Sequence, residues 1–172
     1  RMMDFFDEQR MSRLYEKFIL EYYRREHPRL RASASFVEWA LDDGMSDGLP
    51  AMRSDITLGA RDRVLIIDAK YYASTMQSNF DKRTVHSGNL YQIFAYVKNK
   101  QAALERAGKS VEVSGMLLYA ATDDEVQPDF TYRMSGNQIG VRTLDLDRPF
   151  EEIRAQLDGI ADMLTSPSAS AS

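Results

Sequence analysis

A run of apolar residues that ends in two charged side chains is the most informative stretch of this sequence: Val64-Leu65-Ile66-Ile67-Asp68-Ala69-Lys70-Tyr71-Tyr72. It predicts a buried strand, since it is rich in β-branched and aromatic residues and far too short to cross a membrane. The segment Met52 to Leu58 predicts a second strand, and Gly59-Ala60-Arg61-Asp62-Arg63 between them has the composition of a hairpin connection. We therefore expect the two strands to pair antiparallel.

This hairpin would bring two carboxylates together. If the connection is centred between Arg61 and Asp62, Asp55 faces Asp68, with Cβ atoms about 4.5–5.5 Å apart. Carboxylates that close repel each other unless they share a proton or a cation, and a hard divalent cation is the simplest solution. The two-residue period of a strand also places Asp68 and Lys70 on the same face of the sheet.

Two acids and a lysine at one sheet edge fit metal-assisted hydrolysis of a phosphodiester. The carboxylates would hold the ion, and the Ala69 carbonyl would add a ligand. Lys70 would orient the attacking water, assist its deprotonation or stabilise charge on the phosphate. The alternative is a solvated strand end with an ion pair between Asp68 and Lys70, because the Asp-x-Lys spacing is short and weakly specific.

Hydrophobic periodicity predicts helices over residues 3–26, over 88–107 and from Pro149 onward, and strands over 36–39, 111–121, 130–134 and 138–146. The strand 111–121 is expected to be central, and the polar residues 74–86 are expected to form a loop. This order predicts an α/β fold, a mixed sheet flanked by helices. We expect one domain over residues 1–164 and a disordered Ser/Ala-rich tail over 165–172.

Three polar residues on the predicted helices are candidates for the same site. Gln92 and Tyr96 lie at i and i+4 on the second helix, where they would fix a phosphate or a base. The alternative is an amphipathic helix with a partly exposed tyrosine. Glu16, at the edge of the first helix's apolar stripe, would bind or orient the metal. Its alternative is a surface ion pair with Arg13.

Lys82 and Arg83, in the polar segment, would contact phosphates, although a solvated loop is the ordinary role for such residues.

Composition excludes several chemistries. The chain has 172 residues, no cysteine and two histidines, so disulfides, thiol catalysis and Cys- or His-rich metal sites are excluded. The net charge of −4 is unevenly distributed, with +3 over residues 81–120 and −6 over residues 121–172. We expect the acidic C-terminal third to lie away from any bound DNA. No secretory signal and no membrane-length apolar run are present, so no membrane partner is expected.

Several short stretches resemble a known nuclease group. Asp55 followed by Asp68-Ala69-Lys70 resembles the core of the PD-(D/E)xK nuclease superfamily, and Gln92 with Tyr96 is similar to the QxxxY element of several of its branches. Longer stretches resemble the McrC-type subunit of McrBC modification-dependent restriction systems. They are Leu14-Tyr15-Glu16-Lys17-Phe18, Leu49-Pro50-Ala51-Met52-Arg53-Ser54-Asp55-Ile56, Leu65-Ile66-Ile67-Asp68-Ala69-Lys70-Tyr71-Tyr72 and Asn89-Leu90-Tyr91-Gln92-Ile93-Phe94-Ala95-Tyr96.

The resemblance implies a restriction-endonuclease-like fold and a Mg²⁺-dependent DNA endonuclease, with Mn²⁺ as a possible substitute. Asp55 and Asp68 would bind the metal, and Lys70 would serve the attacking water. Glu16 would assist from the first helix, and Gln92 with Tyr96 would support the site. Ser54 stands where the motif's name has proline, a variation that the superfamily tolerates.

The resemblance also implies partners: a GTP-dependent AAA+ motor subunit and DNA that contains modified cytosine, in the cytoplasm of a bacterium or archaeon. Cutting both strands favours a dimer or assembly on a partner. The chain starts at Arg1 rather than at methionine, and we expect it to begin after the region that engages the motor. One alternative is a catalytically idle scaffold of the same fold that binds DNA or protein. Another, a sugar or phosphomonoester hydrolase, lacks a recognisable aromatic sugar platform.

Overall fold

The computed structural model describes residues 2–72, 76–79 and 82–167, with the backbone alone at 76–79, 82 and 83. The described residues form three α-helices, α1 (Met2–Glu26), α2 (Ser87–Arg106) and α3 (Phe150–Thr165), and a short 3-10 helix, Pro28–Leu30. The strands are β1 (Phe36–Val37), β2 (Met52–Arg53), β3 (Ile56–Ala60), β4 (Arg63–Lys70), β5 (Met76–Asn79), β6 (Lys82–Val85), β7 (Glu112–Ala120), β8 (Phe130–Met134) and β9 (Asn137–Leu144). The expected α/β architecture is confirmed.

A five-stranded mixed sheet forms the centre, in the order β3-β4-β7-β9-β8. Strands β4, β7 and β9 are parallel, and the edge strands β3 and β8 pair antiparallel with β4 and β9. The strand predicted to be central, β7, occupies the middle of this order. Most of its residues are buried, as is usual for parallel strands that are covered on both faces.

Helices cover both faces of the sheet. On one face, α1 and α3 pack against alternate residues of β3, β4 and β7, including Ile56, Leu65 and Met116. On the other, α2 packs against Ile66 and Leu117. The two faces take alternate residues because successive side chains of a strand point in opposite directions.

The predicted register of the hairpin is confirmed. Ile56 pairs with Ile67 and Ala60 pairs with Arg63, which leaves Arg61 and Asp62 as a two-residue connection. The strand predicted over 52–58 is nevertheless interrupted at Ser54 and Asp55. Its first part, β2, pairs with β1 rather than with β4, because the backbone turns out of the main sheet at Ser54.

A further prediction is wrong. Residues 74–86 are not wholly a loop, since β5 and β6 form a separate antiparallel ribbon whose polar residues lack the alternation of a half-buried strand. The helix predicted over residues 3–26 is confirmed as α1, and its buried side chains are Tyr15, Ile19, Tyr22 and Tyr23. Of the tail predicted over residues 165–172, Thr165 lies in α3, and residues 168–172 lie outside the described part of the chain.

Candidate active site

The carboxyl end of β4 carries the residues that the sequence singled out. Asp68 is only 4% exposed. Asp55, one residue before β3, lies beside Asp68. The Ala69 backbone N–H donates a hydrogen bond to Asp55 Oδ2 at 2.9 Å. This bond replaces the next rung of the β3–β4 ladder and fixes the Asp55 side chain against the strand end. The hairpin thus brings both predicted carboxylates together.

The environment of Asp55 disfavours its ionised form. Burial, together with a hydrogen bond to the Asp68 carboxyl group and the negative charges of Asp68 and Glu16, raises the pKa of Asp55 well above its ordinary range. The Ala69 N–H acts in the opposite direction but is outweighed. Without a bound cation, the pair therefore favours sharing a proton over carrying two negative charges.

Lys70 is the cation of the site. Its Nζ atom lies 3.1 Å from Asp68 Oδ2 and donates a hydrogen bond to Gln92 Oε1, also at 3.1 Å. Burial would lower the pKa of Lys70, but the neighbouring Asp68 carboxylate raises it, and the net shift is upward. Lys70 is therefore held charged and in one place.

Residues of α2 fix this lysine. Gln92 Nε2 donates to the Tyr96 hydroxyl at 3.0 Å, so the amide that accepts from Lys70 is itself oriented. Because i and i+4 share a helix face, the spacing that drew attention to Gln92 and Tyr96 also allows this bond. The structure brings both side chains to the site through Lys70.

Glu16 reaches the site from α1 and is half-buried. Burial and the Asp68 charge raise its pKa, whereas Lys70 and Arg13 lower it. Glu16 is therefore in electrostatic contact with the acid pair as well as with Arg13, the partner expected for a surface residue. The side chains of Lys82 and Arg83, on β6, lie outside the described part of the structure.

Oxygen donors suited to a hard cation converge here. Within the described part of the chain, no three His, Asp or Glu side chains form a group that could hold a metal ion. Mg²⁺ does not require such a cage, because it keeps several waters and commonly binds through one or two carboxylates and substrate phosphates. Asp55 and Asp68 could supply two such carboxylates. The Ala69 carbonyl points to the same open edge as its N–H, because both groups of a strand residue face one side.

Sequence reasoning assigned no structural role to two buried polar residues near the site, Ser54 and Asn89. Ser54 is 2% exposed; its hydroxyl lies 2.7 Å from Thr57 Oγ1, and its N–H donates to the Ser35 carbonyl at 2.9 Å. A proline at this position would lose that N–H bond. On the α2 side, Asn89 Nδ2 donates to the Tyr119 hydroxyl at 2.8 Å, where burial raises the pKa of Tyr119 to about 12. Only their polarity at buried positions could have indicated these roles.

Comparison with known proteins assigns the chain to a family. A family model described as McrBC 5-methylcytosine restriction system component matches residues 9–120. The Type IV methyl-directed restriction enzyme EcoKMcrBC of Escherichia coli strain K12 is 32% identical over 159 residues. This chain belongs to the McrBC family. Within McrBC it is a McrC-type chain, so the resemblance to McrC-type subunits stated from the sequence is confirmed.

The McrBC match covers the whole candidate site. The predicted site residues all fall within it, namely Glu16, Asp55, Asp68, Ala69, Lys70, Lys82, Arg83, Gln92 and Tyr96. The alignment with the Escherichia coli relative covers 91% of this chain but 44% of that protein. Among the described residues, no helix has both the length and the apolar character needed to cross a bilayer.

Proposed function

We propose that this chain is a metal-dependent DNA endonuclease domain of a modification-dependent restriction system, and that it hydrolyses phosphodiester bonds. One observation carries the proposal: Asp55 and Asp68 meet at the end of a β-hairpin, and Lys70 is held beside Asp68 by Gln92. Family membership supports the restriction role. The mixed sheet with helices on both faces supports assignment to the restriction-endonuclease-like, PD-(D/E)xK fold.

Asp55, Asp68 and the Ala69 carbonyl would hold Mg²⁺, with Mn²⁺ as a substitute, and Glu16 would bind or orient the ion from α1. When bound, the ion would polarise the phosphate and lower the pKa of a water molecule. Lys70 would donate to a phosphate oxygen or orient the attacking water from its fixed position. Gln92 and Tyr96 would keep the ammonium group there, so that it needs no reorganisation during the reaction.

The proposed substrate is DNA that contains modified cytosine, and the proposed partner is a GTP-dependent AAA+ motor subunit. The family description names 5-methylcytosine, and the Escherichia coli relative is described as methyl-directed. A second copy of the chain would provide the second cut of a duplex, so we also propose a dimer or paired assembly.

Titration calorimetry combined with plasmid cleavage tests the nuclease proposal. Mg²⁺ or Mn²⁺ is titrated into the chain, into Asp55→Ala and Asp68→Asn, and into Asp62→Asn as a control. Asp62 lies in the hairpin turn, at the opposite end of β4 from the acid pair. Cleavage of methylated plasmid is measured on the same samples, with and without the motor subunit and GTP.

We expect metal binding and cleavage to be lost in Asp55→Ala and Asp68→Asn and retained in Asp62→Asn. Cleavage that persists in both site variants would show that the site is assigned wrongly. Metal binding without cleavage under any of these conditions would contradict nuclease activity. If metal binding does not depend on Asp55 or Asp68, the idle-scaffold alternative is favoured.

A further inference from the structure

A groove adjoins the acid pair between α1 and the strand β2. It encloses about 320 Å³, and Asp55 and Glu16 lie along it. Three cationic side chains also line it, Arg13 and Lys17 from α1 and Arg53 from β2. The proposed metal site therefore opens into a groove that has more positive than negative side chains.

The two α1 cations share one side of the helix with Glu16, because residues 13, 16 and 17 are spaced at i, i+3 and i+4. Arg13 and Lys17 are exposed. Within the described part of the chain neither forms an ion pair closer than 4 Å, although Arg13 lowers the pKa of Glu16 through its charge. Their charged groups are available to a ligand in the groove.

Arg53 is oriented by the exposed aromatic side chain of Phe36. Its guanidinium carbon lies 5.4 Å from the centre of the Phe36 ring, and the two residues are direct partners in the β1–β2 pairing. Phe36 is 67% exposed. Stacking on a ring leaves the N–H edges of a guanidinium free to donate, and their fork geometry matches phosphate oxygens.

A nucleic-acid strand carries a negative charge at each nucleotide, so a strand with one phosphate at the acid pair has further phosphates on either side of it. The groove offers a cationic wall beside that position. The metal would offset the charge of the acid pair, whereas among the described residues Arg13, Lys17 and Arg53 form no ion pair, although Arg13 interacts electrostatically with Glu16. This arrangement fits binding of the backbone rather than reading of a base.

We propose that Arg13, Lys17 and Arg53 form a phosphate subsite that holds the DNA strand next to the scissile phosphodiester. This inference rests on the proposed nuclease function and specifies its substrate contacts. The three residues are positioning residues: they would fix the register of the strand over Asp55 and Asp68 and take no part in the chemical step.

Fluorescence anisotropy with a short fluorescein-labelled DNA duplex in EDTA tests the subsite without cleavage. The triple variant Arg13→Gln, Lys17→Gln and Arg53→Gln is compared with a triple variant of equal charge change, Arg29→Gln, Arg61→Gln and Lys109→Gln. The control residues are all exposed and lie outside the groove. Circular dichroism melting confirms that both variants fold.

We expect the groove variant to bind at least about tenfold more weakly than the control variant at moderate salt. The dependence of log K on log salt should become shallower by about 2 to 3, as expected for that number of lost phosphate contacts. Equal binding by the two variants would overturn the subsite.

Phe36→Ala provides a second test that leaves the net charge unchanged. We expect it to weaken DNA binding severalfold, because Arg53 loses its support, whereas Phe150→Ala, at another exposed aromatic residue, should have no effect. Identical binding by these two variants would contradict the role given to Arg53.

The cleavage assay of the preceding subsection separates the two proposals. If the wild-type chain cuts DNA and the groove variant binds like its control, only the subsite is wrong. If binding depends on the groove but no strand is cut, the subsite holds and the nuclease proposal fails. A chain that neither binds nor cuts DNA contradicts both.

Discussion

The position of the Lys70 ammonium group depends on the side-chain amide of Gln92, which is itself oriented by a hydrogen bond. Gln92 accepts from the ammonium group and donates to the Tyr96 hydroxyl, so loss of either contact would let Lys70 move relative to the acid pair. We predict that Gln92→Leu lowers the cleavage rate about tenfold to 100-fold, since small misplacements of a positioned group carry costs of this size. Metal binding measured by calorimetry should stay close to that of the wild type.

A graded pair of variants checks this prediction. Tyr96→Phe removes the hydroxyl that orients Gln92 and should slow cleavage less than Gln92→Leu does. Tyr91→Phe makes the same change at an exposed position of the same helix and should have no effect. Equal rates for the two tyrosine variants would show that the Tyr96 hydroxyl does not support Lys70.

Ser54 stabilises the turn that precedes Asp55. Its hydroxyl contacts Thr57 Oγ1, the Ser35 N–H and the Ser35 carbonyl while the side chain is almost fully buried. We predict that Ser54→Ala lowers the free energy of unfolding by about 1–3 kcal/mol, because it leaves buried polar partners unsatisfied. Urea unfolding measures this. Ser110→Ala, at an exposed position, should change it by less than about 0.5 kcal/mol.

At the scale of single residues, the length of the hairpin connection was enough to predict part of the site. A two-residue connection at Arg61 and Asp62 sets the pairing of the whole hairpin, and that register brings Asp55 beside Asp68. The Ser35–Ser54 contact joins segments 19 residues apart and has no local signature. Helical spacing indicated that Gln92 and Tyr96 share a face, but not that Lys70 would lie against them.

At the scale of elements, the approach of α2 to the sheet depends on a missing side chain. A Cβ at Gly115, on β7, would lie 2.7 Å from side-chain atoms of both Ile93 and Val97. We predict that Gly115→Ala destabilises the fold by about 1–3 kcal/mol through overpacking. Gly159→Ala, in α3, has open space at the new Cβ and should stabilise by about 0.5–1 kcal/mol. Urea unfolding of both variants distinguishes the two environments.

The end of α1 is joined to α3 by a polar contact that depends on pH. Asp158 Oδ1 accepts hydrogen bonds from the Tyr22 hydroxyl at 2.6 Å and from His27 Nε2 at 2.7 Å. Partial burial would raise the pKa of Asp158, but these bonds outweigh it and hold the pKa below its ordinary value. A lowered pKa in the folded state means that the ionised carboxylate stabilises the fold.

The sign of the pH effect follows from this shift. The stabilisation by Asp158 is complete above the unfolded-state pKa of about 3.9 and is lost as the pH falls through the lower folded-state pKa. We predict that the stability difference between the wild type and Asp158→Asn shrinks between about pH 5 and pH 2. Thermal unfolding at several pH values measures this difference. Asp162→Asn, exposed on the same helix, should show no such trend.

Periodicity identified the helices and the strands of the main sheet because each buries a regular apolar face. It failed for β5 and β6, because their short sequences, Met76–Asn79 and Lys82–Val85, are mostly polar and carry no alternating apolar pattern. Periodicity also predicted β2 and β3 as one strand, because both have strand-like composition. Only the change of pairing partner, from β1 to β4, separates them.

At the scale of the whole molecule, the order of the sheet could not be read from the chain. The parallel pairs β4–β7 and β7–β9 join residues that are distant in sequence, and their pairing depends on packing of helices against both faces. The resulting order brings α1, α2 and the hairpin to one end of β4. It thereby assembles Glu16, Asp68 and Gln92 from three separate segments.

The distribution of charge over the molecule predicts which side meets DNA. Residues 121–172 have a net charge of −6, and α3 carries exposed acids such as Glu151 and Asp162. The groove beside the acid pair carries three cations on α1 and β2. A polyanion should approach the groove and avoid α3, because like charges raise the energy of contact.

Site-specific photo-crosslinking measures this orientation directly. A benzophenone side chain placed at Gln9, one helical turn before Arg13 on α1, should crosslink efficiently to bound DNA. The same group at Glu151 or Asp162 should crosslink poorly, and raised salt should reduce the Gln9 product first, because the contact there depends on phosphate charge. Efficient crosslinks from α3 would contradict the proposed direction of approach, since they would require DNA to lie against the most acidic third of the chain.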